Sequence, residues 1–231
     1  EYKLFIKAVN KYIKGVSVQY ITNEQEFLNT KLFVNKNVLI PRPETEYLVE
    51  KTITYIKKYF NKPLIADICT GSGCIAIALK SEIKDAIIYA TDISKKALKV
   101  ANRNIKNNNL DINLLKGDFL KPIIKNNIKL DILISNPPYL TKDDKIDKEV
   151  LENEPHIALF GGMDSYKKIL EQSKEVLNDK AIIAFELQNS ISEKVKEEVK
   201  RIYQNAYISI EKDLLNKNRY MFIFINIDKN S

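Results

Sequence analysis

Short apolar runs alternate with segments of helical period along most of the chain, beginning near position 64. Residues 64–68, 86–90, 112–115, 130–134 and 181–187 are dominated by Ile, Leu and Ala and read as strands. Between them, residues 75–79, 94–107, 164–177 and 192–203 place apolar side chains three and four positions apart, as a helix with one buried face requires. Ser94 stands where a helix cap belongs. Residues 207–210 and 220–227 add two strands, expected as an antiparallel closing pair. Repeated β-α alternation predicts an α/β fold, with a doubly wound, mainly parallel sheet and right-handed crossovers.

Upstream, Leu4, Phe5, Ala8, Val9 and Tyr12 recur at helical spacing, and residues 18–21 and 32–34 read as the short strands of a hairpin. Pro41 and Pro43 interrupt regular structure before a helical period resumes over 44–60 through Leu48, Ile53 and Ile56. The chain therefore divides into a short helix (1–14), a linker with a hairpin (15–43) and the α/β domain (44–231). Residues 143–152 read as a solvated charged loop or helix start beside the site.

No apolar run approaches the ~20 residues that span a bilayer, and no signal-peptide pattern is evident, so a membrane partner is not expected. The 37 basic and 30 acidic side chains give a formal charge of +7, which favours an anionic partner such as RNA. Lysine, isoleucine and asparagine crowd the whole chain, however, as a composition bias would produce without a binding patch. Cys69 and Cys74 form neither a disulfide framework nor a CxxC pair, and His156 is the only histidine. Metal sites and Ser-His-Asp triads are thereby disfavoured. A reducing compartment is expected, the cytoplasm or an organelle matrix.

Chemistry concentrates at four strand ends. Asp67-Ile-Cys69-Thr70-Gly71-Ser72-Gly73 follows the first strand of the alternating region, and two of only six glycines fall within it. Such a turn lets a ligand lie against backbone N–H groups at a helix start. The run Gly71 to Ala76 also fits a dinucleotide fingerprint, and Asp92, 19 residues beyond Gly73, would hold ribose hydroxyls in either case. Asp67 tilts the choice, because a carboxylate there would repel a pyrophosphate and favour an ammonium-bearing ligand such as S-adenosylmethionine. Asp118 could accept from an adenine amine while Phe119 stacks on the ring. Asn136-Pro137-Pro138-Tyr139 follows the apolar strand 130–134. Its prolines stiffen the backbone, so the Asn136 side-chain oxygen and the Pro137 carbonyl could accept both hydrogens of a planar NH2 group, with Tyr139 packed on its face.

These residues resemble the class I, Rossmann-like methyltransferases that carry an NPPY motif. Val38-Leu-Ile-Pro-Arg42-Pro-Glu44-Thr-Glu46 is similar to the signature preceding the catalytic domain of peptide chain release factor N5-glutamine methyltransferases. Gln19-Tyr-Ile-Thr22, Glu26-Phe27 and the stretch from Glu154 to Gly162 extend the likeness, so that it covers residues 15–224. The resemblance implies methyl transfer from S-adenosylmethionine, leaving S-adenosylhomocysteine, to the side-chain amide N5 of the glutamine in the Gly-Gly-Gln loop of a class 1 release factor. It assigns Cys69, Thr70, Gly71, Ser72, Gly73, Asp92, Phe119 and Asn136 to cofactor binding. Asn136, Pro137, Pro138 and Tyr139 would hold the glutamine, with Asn136, Pro137 and Tyr139 as the catalytic set. It also implies that residues 1–14 are the tail of a helical domain that docks the release factor; a monomer is expected.

Three positions depart from the family pattern. Cys69 replaces a glycine of the cofactor loop, and glycines are missing after Glu186 and before Arg219. The rival readings are an amino-methyltransferase acting on an exocyclic base nitrogen of DNA or RNA, one acting on a ribosomal-protein glutamine, and a non-catalytic translation-associated binding module. Nucleic acid is the less favoured partner.

Overall fold

The computed structural model describes residues 1–227. The last four positions of the expected 44–231 domain lie outside the described residues. Helix α1 (Tyr2–Ile13) leads into a single helical turn, α2 (Val18–Thr22), and a hairpin of β1 (Glu24–Phe27) and β2 (Thr30–Phe33). The hairpin thus starts later than the apolar run at 18–21 indicated, and that run is helical. Its Tyr20 is buried and donates its hydroxyl to the Val38 carbonyl at 2.5 Å. Strand β1 itself buries only Phe27, so its alternation is nearly invisible in the sequence.

Pro43 opens α3 (Pro43–Tyr59), where its fixed φ and missing N–H cost nothing, and the acidic Glu44 and Glu46 occupy the first turn. The alternating region follows. Strand β3 (Leu64–Ile68), α4 (Cys74–Glu82), β4 (Ile87–Asp92), α5 (Lys95–Asn107) and β5 (Asn113–Lys116) build one half of the sheet. The short α6 (Lys121–Lys125) precedes β6 (Leu130–Ser135). Two further short helices, α7 (Lys148–Asn153) and α8 (His156–Leu159), separate it from α9 (Gly162–Ser173). Strand β7 (Leu177–Glu186), a 3-10 turn, α10 (Ser192–Ile202), β8 (Tyr207–Lys212) and β9 (Asn218–Ile225) complete the fold. Helix α9 ends at Ser173, short of the expected 177, because Leu177 already pairs with Leu130 in the sheet.

The strand order is β5-β4-β3-β6-β7-β9-β8, parallel from β5 to β7, with β9 antiparallel to both of its neighbours. Successive side chains serve opposite faces. Ile132, Ile134, Ile182, Phe222 and Phe224 join the core beneath α3 and α4, while Leu133, Ile183, Phe185, Met221 and Ile223 join the core beneath α9 and α10. Both faces are covered, which accounts for strands with continuous apolar runs. Helix α1 buries none of its residues, and Tyr2, Leu4, Phe5, Tyr12 and Ile13 are all exposed.

Chain order reverses between β3 and β6, since the strands run outward from β3 to β5 on one side and from β6 to β7 on the other. Ligands of open α/β sheets bind beyond the carboxyl ends of the strands at such a switch point.

Candidate active site

A cavity of about 360 Å³ lies at that switch point. Its size falls within the ~300–1,000 Å³ of small-molecule sites. The loops after β3, β4, β5 and β6 supply Cys69 and Gly71, Asp92 and Ser94, Gly117 to Phe119, and Asn136 and Pro138. The linker 37–39 and the segment 155–161 form its other walls.

The glycine loop is held from below. Gly71 and Gly73 take φ of 56° and 86°, in the left-handed region that glycine tolerates, and Cys69 adopts 63° despite its side chain. Asp92 accepts from the Gly71 N–H at 3.0 Å and from the Ser94 N–H at 2.8 Å. Asp92 lines the cavity, where a carboxylate with lone pairs to spare can accept further hydrogen bonds, and burial raises its pKa. Asn104, fully buried on α5, donates to the Ser72 and Phe33 carbonyls and accepts from the Phe33 N–H, stitching the hairpin to the loop.

Asp67 departs from the role expected of it. The carboxylate is fully buried and does not line the cavity. One oxygen accepts from the Thr70 hydroxyl at 2.5 Å and the Ala76 N–H at 3.2 Å, and the other has no hydrogen-bond partner. Burial pushes its pKa up to about 7. Asp67 braces the turn into α4 rather than facing a ligand.

Of the other candidates, Cys69, Gly71, Asp92, Phe119, Asn136 and Pro138 line the cavity together. Thr70, Ser72 and Gly73 are buried behind the loop surface, Pro137 is buried, and Tyr139 stands beside the cavity with its hydroxyl 3.5 Å from Glu186 Oε1. Asn136 donates from Nδ2 to Thr45 Oγ1 at 3.1 Å, and Thr45 donates to Glu186 Oε2 at 2.6 Å. Among the described residues, no hydrogen bond reaches Asn136 Oδ1 or the Pro137 carbonyl. Pro138 is backed by Gly161, where a Cβ would collide with the Pro138 carbonyl oxygen and with Ser165.

Three polar residues missed in the sequence reading, besides Asn104, shape this site. Glu154 is buried and pairs with Arg42 at 2.5 Å, while its second oxygen accepts from the Ile40 N–H at 3.3 Å. That pair joins the two walls contributed from outside the sheet and explains Arg42 as a clasp. Thr45 and Glu186 sit behind Asn136. Glu46 lies further off and accepts from the Leu28 N–H at 2.9 Å, tying the hairpin to α3. The one signal that could have exposed Glu186 is its position, a carboxylate ending an otherwise apolar run at the ligand-binding edge of the sheet.

The model of the methyltransferase small domain family matches residues 50–206. A release factor glutamine methyltransferase of Bacillus cereus is 37% identical over 227 residues, covering 95% of this chain and 80% of that relative. Among solved structures, a release factor-specific protein-(glutamine-N5) methyltransferase of Alicyclobacillus acidocaldarius superposes with a TM-score of 0.54 at 22% identity, covering 84% of this chain and all but 1% of the other. A 16S rRNA N2 methyltransferase of T. thermophilus, solved with AdoMet and guanosine, reaches 0.64 at 11% identity, over 88% of this chain and 50% of that one. The cofactor is S-adenosylmethionine, and the cavity lined by Asp92 and Phe119 is large enough for a small-molecule ligand of that class. With sequence identity sustained along nearly its whole length, the chain belongs to the release factor glutamine methyltransferase family.

Proposed function

We propose that this protein transfers a methyl group from S-adenosylmethionine to the side-chain amide N5 of the glutamine in the Gly-Gly-Gln loop of a class 1 release factor. The observation that carries the reading is the Asn136 carboxamide, which turns its NH2 towards Thr45 and leaves Oδ1 free beside the cavity. Bound S-adenosylmethionine supplies an electrophilic methyl on a sulfonium sulfur. An amide nitrogen is a poor nucleophile because its lone pair is delocalised into the carbonyl. Asn136 Oδ1 and the Pro137 carbonyl, both acceptors, would engage its two hydrogens and return electron density to nitrogen. An oriented polar contact of this kind is worth about 3 kcal/mol in the transition state. The N–C bond forms as the S–C bond breaks, and the alkylated nitrogen then sheds a proton readily, so no strong base is required.

In this reading the unit from residue 44 onward carries the chemistry, and the linker 15–43 supplies part of the cofactor cavity through residues 37–39. Release factors act wherever ribosomes terminate, which makes the cytoplasm or an organelle matrix the expected location. Incubation with labelled S-adenosylmethionine and a release factor, beside its Gln→Ala loop variant, tests the proposal. Label should enter the first protein alone; equal labelling of both overturns it. The net charge of +7 favours a second reading, methylation of an exocyclic base nitrogen, which label in RNA and none in the release factor would support.

A further inference from the structure

We propose that Thr45 and Glu186 are positioning residues that fix which edge of the Asn136 carboxamide meets the substrate. The proposal rests on reading Asn136 as the acceptor of a substrate N–H. Both residues are almost wholly buried, at 3% and 2% exposure, and they arrive from α3 and from the end of β7. Asn136 Nδ2, Thr45 Oγ1 and Glu186 Oε2 form a chain with links of 3.1 and 2.6 Å.

The direction of that chain follows from the chemistry of its end. An ionised carboxylate can only accept, so the single Thr45 hydroxyl hydrogen is committed to Glu186. The lone pairs left on Thr45 can only accept as well. They attract the Asn136 NH2 and repel Oδ1, and the oxygen turns outward. Low local dielectric strengthens each step. If Glu186 gains a proton, it can donate to Thr45, and Thr45 can then donate to Asn136 Oδ1. The carboxamide reverses and presents N–H to the substrate's N–H.

The groups facing Glu186 place this reversal within working range. Arg219 on β9, itself paired with Asp213, favours the ionised form. Burial opposes it most strongly, and Glu44 at the start of α3 adds to that opposition. Tyr139 donates to Oε1, Tyr166 on α9 donates to the Glu186 backbone carbonyl, and Tyr220 on β9 and Cys74 on α4 lie within its field. The balance pushes the carboxyl up to about 7.

The test compares wild type with Thr45→Val, Thr45→Ser and Glu186→Gln. Steady-state methylation of a release factor is followed from pH 6 to 9, with cofactor affinity measured by calorimetry. The Asn136 side-chain NH2 is followed by nitrogen NMR in the cofactor-bound protein, which needs no methyl acceptor. Thr45→Val should lower kcat about 10- to 100-fold, by analogy with the loss when the hydrogen-bond partner that orients a metal-ligating side chain is removed. Cofactor dissociation constants should stay within about twofold. Thr45→Ser should retain most turnover. The Asn136 NH2 signal should titrate near pH 7 in wild type and stay flat in Glu186→Gln. A wild-type signal that does not titrate, or a folded Thr45→Val with wild-type kcat, overturns the relay. Should Thr45→Val fail to fold, the signals of wild type and Glu186→Gln decide. A wild type that binds cofactor and shows the titration but leaves release factor unlabelled overturns the proposed substrate and keeps the relay.

Discussion

Removing the Arg42 guanidinium strands a buried carboxylate. The Glu154 side chain is 2% exposed and keeps only the long 3.3 Å contact from the Ile40 N–H once Arg42 is gone. Breaking a fully buried ion pair from one side costs about 3–5 kcal/mol. Here the Arg42 side chain is 32% exposed, so water screens part of the interaction and the expected loss in Arg42→Ala is about 2–3 kcal/mol. For a chain of this size that lowers Tm by roughly 4–12 °C. The pair also fastens the linker to the segment after α7, and both line the cavity, so S-adenosylmethionine affinity should fall with stability. Scanning calorimetry and titration calorimetry on Arg42→Ala, Glu154→Gln and the double variant measure both effects. Because Glu154→Gln carries no charge to strand, the double variant should recover part of the loss, giving a coupling energy above about 1 kcal/mol. Additive single losses, or an Arg42→Ala variant melting within a degree of wild type with unchanged affinity, would show that the Arg42–Glu154 pair does not hold the two walls together.

Gly161→Ala should reduce turnover at least tenfold and stability by about 1–3 kcal/mol, because the added methyl collides with the Pro138 carbonyl and displaces the Asn136–Tyr139 motif proposed to hold the substrate. Gly162→Ala is the control: its φ of 53° makes it strained, but its Cβ meets only Thr141, so it should lose stability and keep kcat. Equal kinetics for the two would remove Gly161 from the account. Asp67 and Glu186 both hold raised pKa values of about 7, and for such groups the folded chain binds protons that the unfolded chain releases. Their contribution to stability is complete below about pH 4 and is lost as pH rises through about 7. Between pH 5 and 8 the urea midpoint of Asp67→Asn should therefore fall less with rising pH than that of wild type; parallel slopes would contradict the assignment.

Local pattern carried much of this architecture and little of the wiring behind the site. The sheet strands announced themselves because Ile132 to Ile134, or Ala181 to Phe185, are buried on both faces and cannot be anything but apolar. Two of the four loops were legible because a tight turn after a strand needs unusual backbone, and Gly71 and Gly73 in one and the two prolines in the other mark that need locally. The hairpin was misplaced because its turn uses Leu28 at φ 48° where glycine or asparagine is usual, and its first strand is almost wholly polar. Arg42–Glu154, Asn136–Thr45 and Thr45–Glu186 join residues 112, 91 and 141 positions apart. Nothing in the neighbourhood of either partner states that the other exists, and only folding brings them together. Asp67 failed as a ligand contact for a similar reason: its place at a strand end was readable, but the direction of its side chain, under the loop, was not.

Asn136→Asp should invert the pH dependence of turnover. An ionised aspartate there would set two acceptor-only oxygens against the lone pairs of Thr45, beside the buried Glu186 carboxylate. Two such groups cannot both stay charged, so they share one proton and titrate as a pair. With the proton on residue 136, its hydroxyl donates to Thr45 and its carbonyl oxygen faces the cavity, which reproduces the wild-type pattern. With the proton lost, the pattern collapses. Turnover of the variant should therefore be measurable near pH 6.5 and decline as pH rises, opposite to wild type, whose relay needs Glu186 ionised and gains from rising pH. The crossing of the two profiles is the diagnostic, read from initial rates at saturating cofactor. If both fall together towards acid, Asn136 is an inert spacer, and the direction of the hydrogen bonds behind it has no bearing on methyl transfer.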